Sequence, residues 1–213
     1  MKPQLLIFDL DGTLIDSRAD LAASINHMRA SFGYDPLPKA TISSFIGNGV
    51  RKLVERSIRS TNIDLDEAMA RNKAYYFSHL VEKTTCYPGV KEGIPKLAKA
   101  GHILAVLSNK PGDPTRSILT HFGLNTYFNP IIGGGDLSVL KPDPEGVFHC
   151  MQTAKVEASC TWMIGDHCTD LAVAKNAGVR SGFAEYGFGD AKELSFDQKF
   201  STFSQLVDFF ISV

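Results

Sequence analysis

The tetrapeptide Leu5-Leu6-Ile7-Phe8 runs without a polar break into Asp9-Leu10-Asp11-Gly12-Thr13. A continuous apolar run of that length predicts a strand buried on both faces, as in a parallel sheet covered by helices on either side. Its abrupt end in two carboxylates, one residue apart, places charge where open α/β sheets gather their ligands. Similar short runs recur at Ile103–Leu107, Ile131-Ile132 and Trp162-Met163-Ile164, with Val179–Ala184 a weaker one. Helical stretches are expected between them at Val90–Ala100, Pro114–Phe122, Pro144–Thr153 and Asp170–Ala177. Gly101, Gly123 and Gly178 follow three of these, at the position just past a helix end that favours a left-handed residue. Strand and helix in alternation give a parallel α/β sheet with helices on both faces.

The stretch from about Asp16 to Glu82 breaks this alternation. Arg18–Ser31, Asn48–Arg59 and Leu65–Val81 read as amphipathic helices with no convincing strand between them, Leu53, Val54, Ser57 and Ile58 giving helical spacing in the second. Such a run inserted after the first strand predicts a separate helical cap. The 213 residues suffice for one domain with a smaller one inserted. A last helix is expected over Thr202–Ile211, with Phe203, Leu206, Val207 and Phe210 on one face.

With 44% hydrophobic and 21% charged residues the chain has the balance of a soluble globular protein. A net charge of −1 gives no electrostatic case for nucleic acid or an anionic membrane as main partner, so attraction for an anionic substrate must be local. Cys86, Cys150, Cys160 and Cys168 include no C-x-x-C pair and suit free thiols in a reducing compartment. Leu5–Phe8 is far too short to span a bilayer, and no leader with a small-residue cleavage site is evident, so a cytoplasmic location is expected.

The polar clusters at the strand ends carry the chemistry. A carboxylate can attack phosphorus, and a second acid one residue on can protonate the leaving oxygen and then deprotonate the hydrolytic water. Asp9 and Asp11 have that spacing, although Asp-Gly alone is also a turn signal. Gly12 permits a sharp turn and close approach to a phosphate. An EF-hand calcium loop is excluded, since Thr13 and Leu14 stand where that loop needs an acid and a glycine. Ser108 and Asn109 end the second strand, as phosphoryl-oxygen donors or as a helix cap. Lys141 follows the third strand and the Gly133-Gly134-Gly135 loop, where it can neutralise phosphate charge or stand solvated before the helix opened by Pro144. Gly165-Asp166-His167-Cys168-Thr169-Asp170 ends the fourth, with two acids four apart that suit magnesium or cap the next helix.

In order and placement these clusters resemble the motifs of the haloacid dehalogenase-like superfamily, over essentially the whole chain. That resemblance implies a Rossmann-like core over residues 1–15 and 83–213 and a helical cap over 16–82. It implies that Asp9 is the nucleophile, Asp11 the general acid/base, and that Ser108 and Lys141 hold the phosphoryl group with Asn109, Gly12 and Thr13 beside them. Mg2+ would be bound by Asp9, the backbone carbonyl of Asp11, and Asp166, with Asp170 in support. His167 and Cys168 receive no role.

Within the superfamily, the segment Ile46-Gly47-Asn48-Gly49-Val50-Arg51-Lys52-Leu53 is similar to the cap segment of phosphoglycolate phosphatases. Glycines at a helix start could present N–H groups to an anion, and Asn48, Arg51 and Lys52 are the candidate substrate contacts. The same residues also suit a turn and a solvated face. The implied activity is hydrolysis of a small phosphorylated metabolite, 2-phosphoglycolate first, by a monomer or small homo-oligomer. A sugar phosphomutase and phosphatases for nucleotides, pyrophosphate or sugar phosphates are the alternatives. A dehalogenase would leave Asp11 and the metal acids unexplained, and a non-catalytic binding module would leave the intact motifs unexplained.

Overall fold

The computed structural model describes residues 3–58 and 62–212. Strand β1 is Leu5–Phe8; β2, Ile15–Asp16, follows at once. Helices α1 (Arg18–Ala30), α2 (Lys39–Ser43), α3 (Val50–Ile58) and α4 (Leu65–Ser78) come next, and β3 (Thr85–Cys86) returns the chain beside β2 in an antiparallel pair. The remainder alternates: α5 (Val90–Lys99), β4 (Ile103–Pro111), α6 (Gly112–His121), β5 (Phe128–Gly134), α7 (Glu145–Ala154), β6 (Thr161–Gly165), α8 (Cys168–Ala177), β7 (Arg180–Ala184), β8 (Gln198–Phe200) and α9 (Phe203–Ser212).

The six-stranded sheet has the order β5-β4-β1-β6-β7-β8, and every pairing in it is parallel. From β1 the chain steps outward to β4 and β5, then crosses back to β6 on the other side of β1. The order therefore reverses between β1 and β6, which opens a crevice at their carboxyl ends. Alternation along β1 explains the two-sided core. Leu6 and Phe8 join Val106, Ile164, Ile94 and Phe203 on one face, while Leu5 and Ile7 join Ala105, Met163, Val147 and Val173 on the other. Each of the four β1 side chains is fully buried, worth about 1.5–3 kcal/mol apiece.

Helices α1 to α4 bury a third cluster of their own, including Ile25, Met28, Ile42, Val54 and Ala68. A buried carboxylate fastens the neck below it. Asp20 of α1 accepts from the backbone N–H groups of Lys83 and Thr84 and from the Thr84 hydroxyl, at 2.7–3.1 Å.

Several boundaries differ from the sequence reading. Strand β4 continues past the expected end at Ser108 and Asn109 through Lys110 to Pro111, with its pairing to β5 shifted between Leu107 and Pro111. The five-residue α2 and three-residue β8 were not foreseen, being too short to display a period. The second cap helix begins at Val50, and Arg59 lies outside the described residues; the third ends at Ser78. All four cysteines are free thiols. No helix among the described residues is long and apolar enough to cross a membrane.

Candidate active site

The carboxyl ends of β1, β4 and β6, with the loop after β5, converge on one crevice beneath α3 and α4. A cavity of about 610 Å³ opens there, walled by Asp9, Asp11, Ser108, Lys110 and Asp166 from the sheet side. Backbone pairing sets the geometry at its floor: the Asp9 N–H donates to the Ile164 carbonyl at 2.9 Å, tying the start of the acidic turn to the neighbouring strand.

Lys141 is the hub of the buried charge. Its ammonium lies 2.6 Å from Asp170 Oδ1 and 3.0 Å from Asp9 Oδ1, and its side chain is 2% exposed. Burial pushes the Asp9 carboxyl up; the Lys141 ammonium opposes that, Asp170 adds to it, and the Ser108 hydroxyl also opposes it. The Asp166 carboxyl is pushed well up by burial and then by Asp170 and Asp9, against two backbone donors. Those donors are the N–H groups of Phe188 and Gly189, which reach its Oδ2 at 3.0 and 2.7 Å. Asp11 is held separately. The Ser17 hydroxyl donates to its Oδ1 at 2.5 Å, and Lys110 Nζ donates to both oxygens at 3.0 and 3.1 Å.

The donor set fits a small divalent cation. Asp9, Asp166 and Asp170 each bring a carboxylate oxygen within 4.8 Å of the others. Asp9 Oδ1 is buried with no properly aligned hydrogen bond, despite the nearby ammonium. Four carboxylates here face two ammonium groups, Lys110 and Lys141, so negative charge remains for a cation to balance. Oxygen-only ligands suit a hard ion.

Comparison with known proteins decides the kinship. The sequence model of the haloacid dehalogenase-like hydrolase family matches residues 6–184. The chain belongs to this family. Among relatives of this haloacid dehalogenase-like hydrolase, the phosphoglycolate phosphatase of Psychrobacter arcticus is 36% identical, across 99% of this chain and 97% of that protein. Phosphoglycolate phosphatase 1 of Pseudomonas aeruginosa is 37% identical, across 91% of this chain and 73% of its own length. A crystal structure of a predicted phosphoglycolate phosphatase from Haemophilus somnus superposes with a TM-score of 0.92 at 28% identity, covering 98% of each chain. By this kinship the hydrolase is an enzyme of the phosphatase class.

The structure gathers the four strand-end clusters as expected but redistributes their side chains. Asp9, Asp11, Ser108, Asn109 and Asp166 wall the cavity, whereas Lys141 and Asp170 stand behind it, paired. Gly12 and Thr13 lie outside the wall, and the Thr13 hydroxyl is buried without a partner. Gly12 is needed there: at φ +89°, a Cβ would come within 1.9 Å of Asp166 Oδ2.

Asn109, expected beside the phosphoryl group, lines the cavity with its amide engaged by the backbone. Its amide donates to the carbonyls of Lys141 and Gly47 at 3.0 and 3.1 Å and accepts from the Lys141 N–H at 2.8 Å. It staples β4 to the Lys141 loop and to the cap. The expected cap contacts also face elsewhere. Arg51 pairs with Asp66 and Lys52 with Glu55, all at exposed positions, and Asn48 accepts from Arg56. The rotation of a helix about its own axis decides whether such residues face the cavity, and the sequence does not fix it. Gly47 and Gly49 do reach the wall.

His167, given no task earlier, caps α8: its Nδ1 accepts from the Thr169 N–H at 3.2 Å while Asp170 accepts from the His167 N–H at 3.0 Å. Its ring also fills the space beside Gly47, where a Cβ would stand 2.9 Å away. Sequence reasoning missed Lys110, Ser17 and the Gly187–Gly189 turn. Lys110 was detectable as the next residue of the Ser108-Asn109 cluster; the other two become neighbours of the site only on folding.

Proposed function

We propose that the protein is a Mg2+-dependent phosphatase that hydrolyses a small phosphate monoester, 2-phosphoglycolate first, through an aspartyl-phosphate. The observation that carries this reading is the pairing of two differently held acids. Asp9 sits beside Lys141 and the acidic cluster, while Asp11 sits apart with Ser17 and Lys110. The kinship to phosphoglycolate phosphatases at 36–37% identity supports the substrate.

In this scheme Asp9 attacks phosphorus as the ester P–O bond breaks, and Asp11 gives its proton to the departing alkoxide oxygen. Asp11 then takes a proton from water as that water attacks the phosphorus of the aspartyl-phosphate, releasing inorganic phosphate and restoring Asp9. Lys141 keeps Asp9 oriented, and the Ser108 hydroxyl offers a donor to a phosphoryl oxygen. Asp9, Asp166 and the Asp11 carbonyl would hold Mg2+, with Asp170 in support; the ion supplies charge neutralisation between carboxylate and phosphate and polarises the phosphoryl group. Helices α3 and α4 cover the reacting groups and exclude bulk water.

The test is Mg2+-dependent phosphate release across 2-phosphoglycolate, sugar phosphates, nucleotides and pyrophosphate. A kcat/KM preference for 2-phosphoglycolate supports the full reading. Broad, weak release keeps the phosphatase and discards that substrate. The cavity volume also leaves room for a sugar phosphate. Turnover in 18O-water separates the phosphomutase this would suit: label in free phosphate means hydrolysis, while an isomerised sugar phosphate without free phosphate means transfer back to substrate.

A further inference from the structure

One buried cation on the cavity wall holds Asp11 and has been given no contact with the substrate. Lys110 is 6% exposed, and its Nζ stands 4.9 Å from the centre of the Tyr76 ring, which descends from α4. The Tyr76 hydroxyl and the Asn72 Oδ1, on successive turns of α4, are both buried without a hydrogen-bond partner, and both residues line the cavity. Of these two groups the hydroxyl can donate to an anion that enters the cavity, whereas the amide oxygen can only accept. Arg51 and Lys52, the cations expected to meet a substrate anion, are engaged at the surface instead.

We propose that Lys110 and Tyr76 form the subsite for a carboxylate that the substrate carries one carbon away from its ester oxygen. The inference rests on the phosphatase reading above and makes its substrate class specific. Asp11 must reach the ester oxygen to protonate it, and Lys110 Nζ lies 3.0 Å from Asp11 Oδ1. A carboxyl carbon two bonds beyond that oxygen falls within reach of the same ammonium. The Tyr76 hydroxyl then adds a neutral donor from the cap side, so binding of the anion also links α4 to the sheet. Lys110 is thus a specificity residue shared between Asp11 and the substrate.

The test compares 2-phosphoglycolate with ethyl phosphate, which has the same ester and no carboxylate. Wild-type protein is expected to favour 2-phosphoglycolate by roughly 10- to 100-fold in kcat/KM, the worth of a charge-assisted contact. In Lys110→Met that preference collapses, mainly through KM for 2-phosphoglycolate, and Lys110→Arg restores part of it. Tyr76→Phe lowers the preference by a smaller factor. An equal loss for both esters in Lys110→Met, confined to kcat, would show that Lys110 acts only through Asp11 and overturns the subsite. Equal wild-type turnover of the two esters overturns it without any variant, while leaving the phosphatase intact. Should neither ester turn over, the phosphatase reading fails, and calorimetric titration of wild-type protein with the two ligands still decides the subsite. Tighter binding of 2-phosphoglycolate that is lost in Lys110→Met supports it, and equal affinities refute it.

Discussion

At the scale of single residues, the two acids of the first turn have separate neighbours and should fail separately. Asp9→Asn is expected to abolish phosphate release, whereas Asp11→Asn should lower kcat by roughly 10²–10⁴-fold while leaving the fold intact. Single-turnover phosphate assays beside thermal melts check both; substantial release from Asp9→Asn would remove it as nucleophile. Gly12 gives a different kind of failure. A Cβ there would collide with the Asp166 carboxylate, so Gly12→Ala should displace that side chain and, if it holds the cation, weaken Mg2+ activation by roughly 10- to 100-fold. A Mg2+ titration of activity reads this directly, and an unchanged half-saturation point would argue against Asp166 as a ligand. Asp9 and Asp11 were legible from sequence because acids after a buried apolar run have few structural reasons to be there. Lys110 was not, because a lysine at a strand end looks solvated until its partners are known.

At the scale of elements, function depends on a few clamps between segments distant in sequence. Asp20 holds the returning chain at Lys83 and Thr84 through charge-assisted bonds, buried at 2% exposure. Replacing it by Ala leaves buried donors unsatisfied and should cost about 2 kcal/mol or more, seen as a lower denaturant midpoint. A change under about 0.5 kcal/mol would mean that water takes over those donors. The Asn109 staple holds the loop that carries Lys141. Asn109→Ala frees the Lys141 loop, so kcat should fall more than KM rises; a pure KM effect would instead return Asn109 to substrate contact. Neither clamp was visible beforehand, since each joins residues more than 30 positions apart. The long elements were visible, because strand-length apolar runs and glycine-closed helices carry their own period.

For the whole molecule, the site is a concentration of buried charge that costs stability until it is neutralised. The raised carboxyls of Asp166 and Asp9 mean that the folded state keeps protons that the unfolded chain releases above the ordinary value of 3.8. Without a cation, stability should therefore fall as pH rises from that value through the raised range. Mg2+ competes with those protons, so the slope should flatten when it is present. At a hundredfold excess over Kd it should add about 2.7 kcal/mol, or roughly 5–10 °C in Tm. Calorimetry from pH 4 to 8, with and without MgCl2, tests this; identical slopes in both series would dismiss the acidic cluster as a cation site.

The sequence by itself determined the alternating α/β order, the helical insertion after the first strand, and the strand ends that carry chemistry. Those features are local: periodicity, glycine stops and the polarity of a strand's last residues act over a few positions and survive any packing. Only the tertiary structure decided which cation meets which carboxylate, that Lys141 pairs with Asp170 as well as Asp9, and that Arg51 and Lys52 face solvent while Lys110 faces the cavity. Those outcomes depend on the rotation of helices about their axes and on the shifted pairing at the end of β4. Both are set by side chains that meet only when β1, β4 and β6 are side by side.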